Sequence, residues 1–155
     1  MIQESMDQIE GIERKNLCDY IIYTDGAYSP LRDQGGVGIV VVKNGEKVIE
    51  FSKVYKNTTN NQMELLAVIL ALSSVKNKIK TLTIITDSQY VIGCATKGWK
   101  RKKNKTLWEN FDKALTHAQS LCPDIKFEWT KGHEDNEFNN LADTLASSAS
   151  LQYIR

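Results

Sequence analysis

Two short runs of β-branched and aromatic residues end on an acid. Tyr20-Ile21-Ile22-Tyr23-Thr24 precedes Asp25, and Leu82-Thr83-Ile84-Ile85-Thr86 precedes Asp87. Such runs read as strands. In a mixed α/β sheet, polar groups at the carboxyl ends of neighbouring parallel strands line a common crevice where ligands bind. If these two strands are neighbours, Asp25 and Asp87 converge. Two carboxylates face to face repel, and one pKa is driven upward unless a cation lies between them. Hard oxygen donors of this kind suit Mg2+ or Mn2+. Two more acids stand where they can join: Glu64, in the first turn of an otherwise apolar helical stretch, and Asp143, which interrupts the last helical stretch at Asn-Asn-Leu-Ala-Asp-Thr-Leu-Ala.

Each acid also has a purely structural reading. Asp25-Gly26 has the composition of a turn. Glu64 stands three residues after Asn61, as in a capping box. Asp87 is placed to cap a helix that begins at Ser88, and Asp143 fits a solvated helix face. Taken one at a time these readings suffice; they leave the four together unexplained.

The chain has 155 residues, enough for one domain with a real core, and its 41% hydrophobic and 25% charged residues are those of an ordinary globular protein. Residues 1–18 read as a polar N-terminal extension and 19–155 as a single domain. The net charge of +1 hides an uneven distribution: Lys97–Lys105, KGWKRKKNK, holds six Lys/Arg and no acid, whereas the first twenty residues hold five acids and two bases. A local basic cluster on a neutral protein is either a solvated loop or a patch for a polyanion. The cysteines Cys18, Cys94 and Cys122 are odd in number and widely spaced, which points to reduced thiols rather than a disulfide framework or a zinc site. The opening residues lack the layout of a signal peptide, and no apolar run is long enough to span a membrane, so the expected setting is cytoplasmic, without a membrane partner.

The elements that must position the acids follow from pattern. A strand over Tyr20–Thr24 is followed by a turn-rich loop. Gly36–Tyr55 reads as a hairpin around Lys43-Asn44-Gly45-Glu46, where Asn-Gly is the hairpin signal. TTNNQMELLAVILALSSVKN opens on polar caps and continues apolar nearly all round, a buried helix. The strand Leu82–Thr86 comes next, then a short helix from about Ser88. Beyond the basic loop, Leu107, Phe111, Leu115 and Ala118 recur at helical spacing. DIKFEWT alternates as a strand, and NEFNNLADTLASSASLQ closes the chain as a helix. The order β-β-β-α-β-α-α-β-α predicts an α/β mixed sheet, three antiparallel hairpin strands and then two parallel ones, flanked by helices.

At these residues the chain resembles a known family. YTDGA with GGVG, TTNNQMELLAVILAL, TDSQYV and WTKGHEDNEFNNLAD occur in the same order as in type 1 ribonuclease H, over roughly residues 19–150. The resemblance implies the ribonuclease H fold, a five-stranded mixed sheet flanked by helices. It implies an endoribonuclease that cuts the RNA strand of RNA/DNA hybrids, leaving 5′-phosphate and 3′-hydroxyl ends. Asp25, Glu64, Asp87 and Asp143 match the family's four catalytic carboxylates, which hold two divalent ions, normally Mg2+ with Mn2+ as an alternative. His133 matches a loop histidine that relays a proton or eases release of metal and product. Asn60, Asn61 and Gln89 match positions that contact the hybrid's minor groove. Asn139 is a candidate near the metals, and the backbone at Gly26 and Ala27 a candidate contact to the RNA strand. In the basic segment Trp99, Lys100, Arg101 and Lys102 look like a compressed version of the family's basic protrusion, expected to grip phosphates. The first loop departs from the family: SPLRDQGG stands where Asn-Pro-Gly is common, leaving Arg32 as a candidate replacement. The expected state is a monomer. The opposing reading, a catalytically silent nucleic-acid binding module, predicts loss of a carboxylate, and all four are present.

Overall fold

The computed structural model describes residues 17–131 and 136–153. Its sheet begins from a hairpin whose turn residues Asn44 (φ 49°) and Gly45 (φ 86°) are both left-handed, as a two-residue type I′ turn requires. The turn joins β2 (Gln34–Lys43) to β3 (Glu46–Lys56), paired from Lys43 opposite Glu46 to Gln34 opposite Lys56, with a bulge at Val41/Val42. On the other side of β2 runs β1 (Asp19–Ser29), antiparallel along its whole length from Tyr20 opposite Lys43 to Ser29 opposite Gln34. β4 (Thr81–Thr86) pairs parallel to β1, and β5 (Asp124–Trp129) parallel to β4. The order across the sheet is β3-β2-β1-β4-β5. Four helices complete the described residues: α1 (Asn60–Ser73), α2 (Gln89–Thr96), α3 (Lys105–Leu121) and α4 (Glu137–Leu151).

The first strand is longer than its apolar pattern suggests. It does not stop at Thr24 but continues through Asp25 and Gly26 to Ser29, because β2 goes on pairing with it. β4 instead parts from it after Tyr23 opposite Ile85. The chain after Thr86 is therefore released beside the middle of β1.

Each face of the sheet carries its own core. On one, Ile22, Val37, Ile39 and Ile84 pack under Leu65, Val68 and Leu72 of α1 and under Trp108 and Phe111 of α3. On the other, Tyr23, Val40 and Val42 pack against Ala142, Leu145 and Phe138 of α4. The buried stripe of α3 is turned from the expected one: Trp108, Phe111, Ala114 and Ala118 are buried, whereas Leu107 and Leu115 are half-buried. Trp108 displaces them because its indole Nε1 has a partner inside, donating to Tyr90 Oη at 2.9 Å.

The alternation of β2 places Gly36 and Gly38 under α4. A Cβ at Gly38 would stand 2.1 Å from the Ala142 carbonyl oxygen, and one at Gly36 2.4 Å from that of Ala146. The helix that carries Asp143 can lie this close only because both positions lack side chains. Gly38→Ala is therefore expected to destabilise the protein by about 1–3 kcal/mol, as overpacking does. Urea unfolding checks it, and a loss below ~0.5 kcal/mol, the level of an uncoupled surface change, would show that α4 moves away freely.

Candidate active site

Asp25 is a buried residue in the middle of β1, with 6% of its surface exposed. Its Oδ1 accepts the backbone N–H of Gly26 at 2.9 Å. Gly26 does more than supply that donor. A Cβ there would meet Glu64 N at 2.2 Å and Met63 C at 2.3 Å, so its bare backbone lets the first turns of α1 press onto β1 beside Asp25.

The start of α1 is not capped as its sequence suggested. Thr59, extended at φ −131°, is the N-cap, and its hydroxyl accepts from Gln62 N at 3.2 Å. Asn61 is exposed within the first turn, and Glu64 takes no part in capping. Glu64 instead accepts from Asn60 Nδ2 at 3.1 Å and from the side chain of Ser88. Burial is the main reason its carboxyl lies above the ordinary glutamate range. The Ser88 bond opposes the shift, the charge of Asp87 adds to it, and the Asn60 bond opposes it.

Asp87 follows β4, and the helix after it is capped by its neighbour: Ser88 accepts from Val91 N at 3.1 Å. That bond leaves the Asp87 carboxylate for other work. The turn itself is held in place from several sides. Ser88 N donates to Thr86 Oγ1 at 3.1 Å, Thr130 N to Thr86 O at 2.9 Å, and Trp129 Nε1 to Asp87 O at 3.0 Å.

One ligand oxygen each from Asp25, Glu64 and Asp87 lie within 4.8 Å of one another. Asp143 reaches the group from α4, whose N-cap Asn136 accepts from Phe138 N and Asn139 N at 3.0 Å, and it hydrogen-bonds to Asp25. Asp143 is thus half-buried and engaged, not a solvated helix face. The Asp25 carboxyl is pushed up to about 9 by burial, by the charge of Asp87 and by the bond to and charge of Asp143, with the Gly26 N–H opposing. An all-oxygen set of three converging acids, with a fourth bonded to Asp25, fits a hard divalent cation such as Mg2+ or Mn2+.

Of the other candidates, Asn60, Asn61 and Gln89 are exposed at the starts of α1 and α2. Gly26 is buried, Ala27 half-buried and Asn139 buried at 5% exposure. Trp99, 49% exposed, lays one edge of its indole on Gly93 of α2, where a Cβ would stand 2.0 Å from the ring. Lys100 and Lys102 are exposed, but Arg101 between them is turned back onto α3. Arg32 is exposed in the first loop, its guanidinium 5.5 Å from the centroid of the Tyr153 ring. His133 and the first sixteen residues lie outside the described residues. Ser88 and Trp129 did not stand out in the sequence. Ser88 had a signal, a hydroxyl at an N-cap position; the bond from Trp129 spans 42 positions and had none.

The sequence pattern of the RNase H family matches residues 18–151. The chain belongs to the ribonuclease H family. It is 36% identical to the ribonuclease H of Desulforamulus reducens, with 90% of this chain and 92% of that one covered. It is 41% identical to that of a Thermoanaerobacter species, with 81% and 86% covered. Among solved structures it is similar to the RNase H1 of the halophilic archaeon Halobacterium salinarum, with a TM-score of 0.68 and 26% identity over 84% of this chain and 96% of that one. The five-stranded mixed sheet flanked by helices is the ribonuclease H fold, and the family is one of endonucleases. Among the described residues no helix is long and apolar enough to cross a membrane.

Because the folded-state pKa of Asp25, about 9, lies above the ordinary 3.8, the folded state holds this proton more tightly than the unfolded chain. That contribution is whole below about pH 4 and is lost as pH rises toward 9. Asp25→Asn mimics the protonated acid at every pH. In EDTA its stability advantage over the parent is expected to be larger at pH 8 than at pH 5. Equal advantages in urea unfolding at the two values would refute the raised pKa.

Proposed function

We propose that this chain hydrolyses the RNA strand of RNA/DNA hybrids with two divalent ions, Mg2+ or alternatively Mn2+, leaving 5′-phosphate and 3′-hydroxyl ends. The observation that carries the reading is the meeting of Asp25, Glu64 and Asp87 within 4.8 Å on a ribonuclease H fold. In it Asp25, Glu64, Asp87 and Asp143 are the catalytic and metal-holding residues. When bound, such ions supply positive charge at the transferring phosphate and an acidified water.

The chain's own contribution is placement. Asn60 and Ser88 aim the Glu64 carboxylate, the Gly26 N–H aims that of Asp25, and the bond from Trp129 fixes the turn at Asp87. Asn60, Asn61 and Gln89 carry amides that both donate and accept, which suits the sugar hydroxyls and base edges of a hybrid's minor groove. Asn60 would then do two things at once, touching substrate and orienting a ligand. Asn139, Gly26 and Ala27 complete the proposed contact surface, and His133 the proposed proton relay. Trp99 offers half of its indole to the substrate beside the exposed Lys100 and Lys102. We also propose that the protein acts as a cytoplasmic monomer.

The test is to incubate labelled RNA/DNA hybrid, double-stranded RNA and single-stranded RNA with the protein and Mg2+. Cleavage of the hybrid alone is expected, with none in EDTA. Glu64→Gln and Asp87→Asn are expected to lose more than the 10–100-fold typical of removing an outer partner of a metal site, with circular dichroism unchanged. Binding of hybrid without cleavage under Mg2+ and Mn2+ would instead support a silent binding module.

A further inference from the structure

The basic loop between α2 and α3 spells its charges one after another, yet its cations do not behave alike. Lys100 and Lys102 are exposed, whereas the Arg101 side chain keeps 30% of its surface in water. Arg101 Nη1 lies 2.9 Å from both carboxylate oxygens of Asp112, and its Nε donates to the carbonyl of Cys94 at 3.3 Å. The guanidinium stands over the Trp108 ring at 4.4 Å and within 5.6 Å of the Phe111 centroid. One side chain thus ties the loop to the last turn of α2 and to the buried face of α3. A second tie precedes it: Trp99 N donates to Gly93 O at 3.2 Å and its ring covers Gly93.

We infer that Arg101 is a positioning residue, whose latch to Asp112 and Trp108 sets the pose in which Lys100 and Lys102 meet the phosphates of the hybrid. A guanidinium already neutralised by a carboxylate and stacked on an indole has little to gain from a phosphate. Its neighbours on either side, Lys100 and Lys102, are exposed. The pair with Asp112 is half in water, so its value lies in orientation rather than stability. This inference rests on the reading of an RNA/DNA hybrid as substrate.

Asp112 supplies the decisive variant, because Asp112→Asn removes no cation and adds a net positive charge. The experiment measures binding of a short fluorescein-labelled RNA/DNA hybrid in EDTA across a salt series, for the parent, Asp112→Asn, Arg101→Lys and the double variant. Each lost phosphate contact lowers the log–log salt slope by about 0.7–0.9. Asp112→Asn is expected to weaken binding and lower the slope by one to two such steps. Arg101→Lys, which keeps the charge but loses the fork and the stacking, should match it, and the double variant should be no worse than the larger single effect. Tighter binding by Asp112→Asn would overturn the inference and make Arg101 a phosphate contact itself, and unchanged binding would overturn it as well. A fall in melting temperature without any change in binding would overturn it too, leaving the latch merely structural. If the parent fails to bind or cleave the hybrid, the proposed substrate itself is wrong; if the parent binds with a steep slope that Asp112→Asn does not move, only the latch is.

Discussion

Four carboxylates are brought together where repulsion would drive them apart, and the rest of the structure is the means of holding them there. Asp25 is buried, bonded to Asp143 and close to Asp87 and Glu64, and burial, Asp87 and Asp143 all raise the cost of its charge. No local preference of the chain favours that arrangement. It persists because the backbone positions are over-determined. β1 is laddered on both sides up to Tyr23, α1 is pressed onto it through Gly26, and α4 lies on β2 through Gly36 and Gly38. With these frames fixed, the acids cannot separate, and the remaining repulsion is relieved either by a proton on Asp25 or by a divalent cation. A site that is poor for stability on its own thereby fits a doubly charged ion.

Much of this was legible in the residues. The strand runs, the Asn-Gly turn, the apolar helix and the order of elements appear in the structure as read. Where the local reading failed, either a distant element decided the outcome or, for the capping alternatives to the ligand roles of Glu64 and Asp87, a neighbouring residue filled the cap instead. The apolar pattern of β1 stops at Thr24 because Gly26 must be small to admit α1, and the strand continues regardless. Glu64 looked like half of a capping box, but Thr59 and Gln62 form the cap, which leaves Glu64 to the acid cluster. The alternative in which Asp87 caps the helix fails because Ser88 fills that place. Leu107 and Leu115 fit the helical spacing as well as Trp108 does, and the tryptophan has in addition a partner at Tyr90 and a ring contact with Phe111.

The basic loop shows the same limit from the side of charge. Within Lys100-Arg101-Lys102 the three cations are equivalent by composition, and they are separated only by what lies opposite them. Asp112 stands eleven positions from Arg101, on the exposed side of a helix whose buried side carries Trp108 and Phe111. A run of like charges on a short loop repels itself and has no reason to hold one pose. An arginine that spends its charge internally gives it one, at the loss of one cation from the outer face.

The two charged regions, opposite in sign, are complementary in the proposed reaction. The phosphates of a hybrid that approach the exposed lysines also approach the carboxylate cluster, where without cations they would meet Asp87 and Glu64 as like charges. Divalent ions at the acids remove that repulsion, and a bound phosphate in turn strengthens the hold on the ions. By linkage the two effects are equal in free energy. A proton on Asp25, whose carboxyl is pushed up to about 9 by burial and by Asp87 and Asp143, competes with such ions for the same oxygens. In the proposed reaction the hybrid adds oxygen donors to those of the acids. Substrate recognition and metal loading are, on this argument, one equilibrium rather than two.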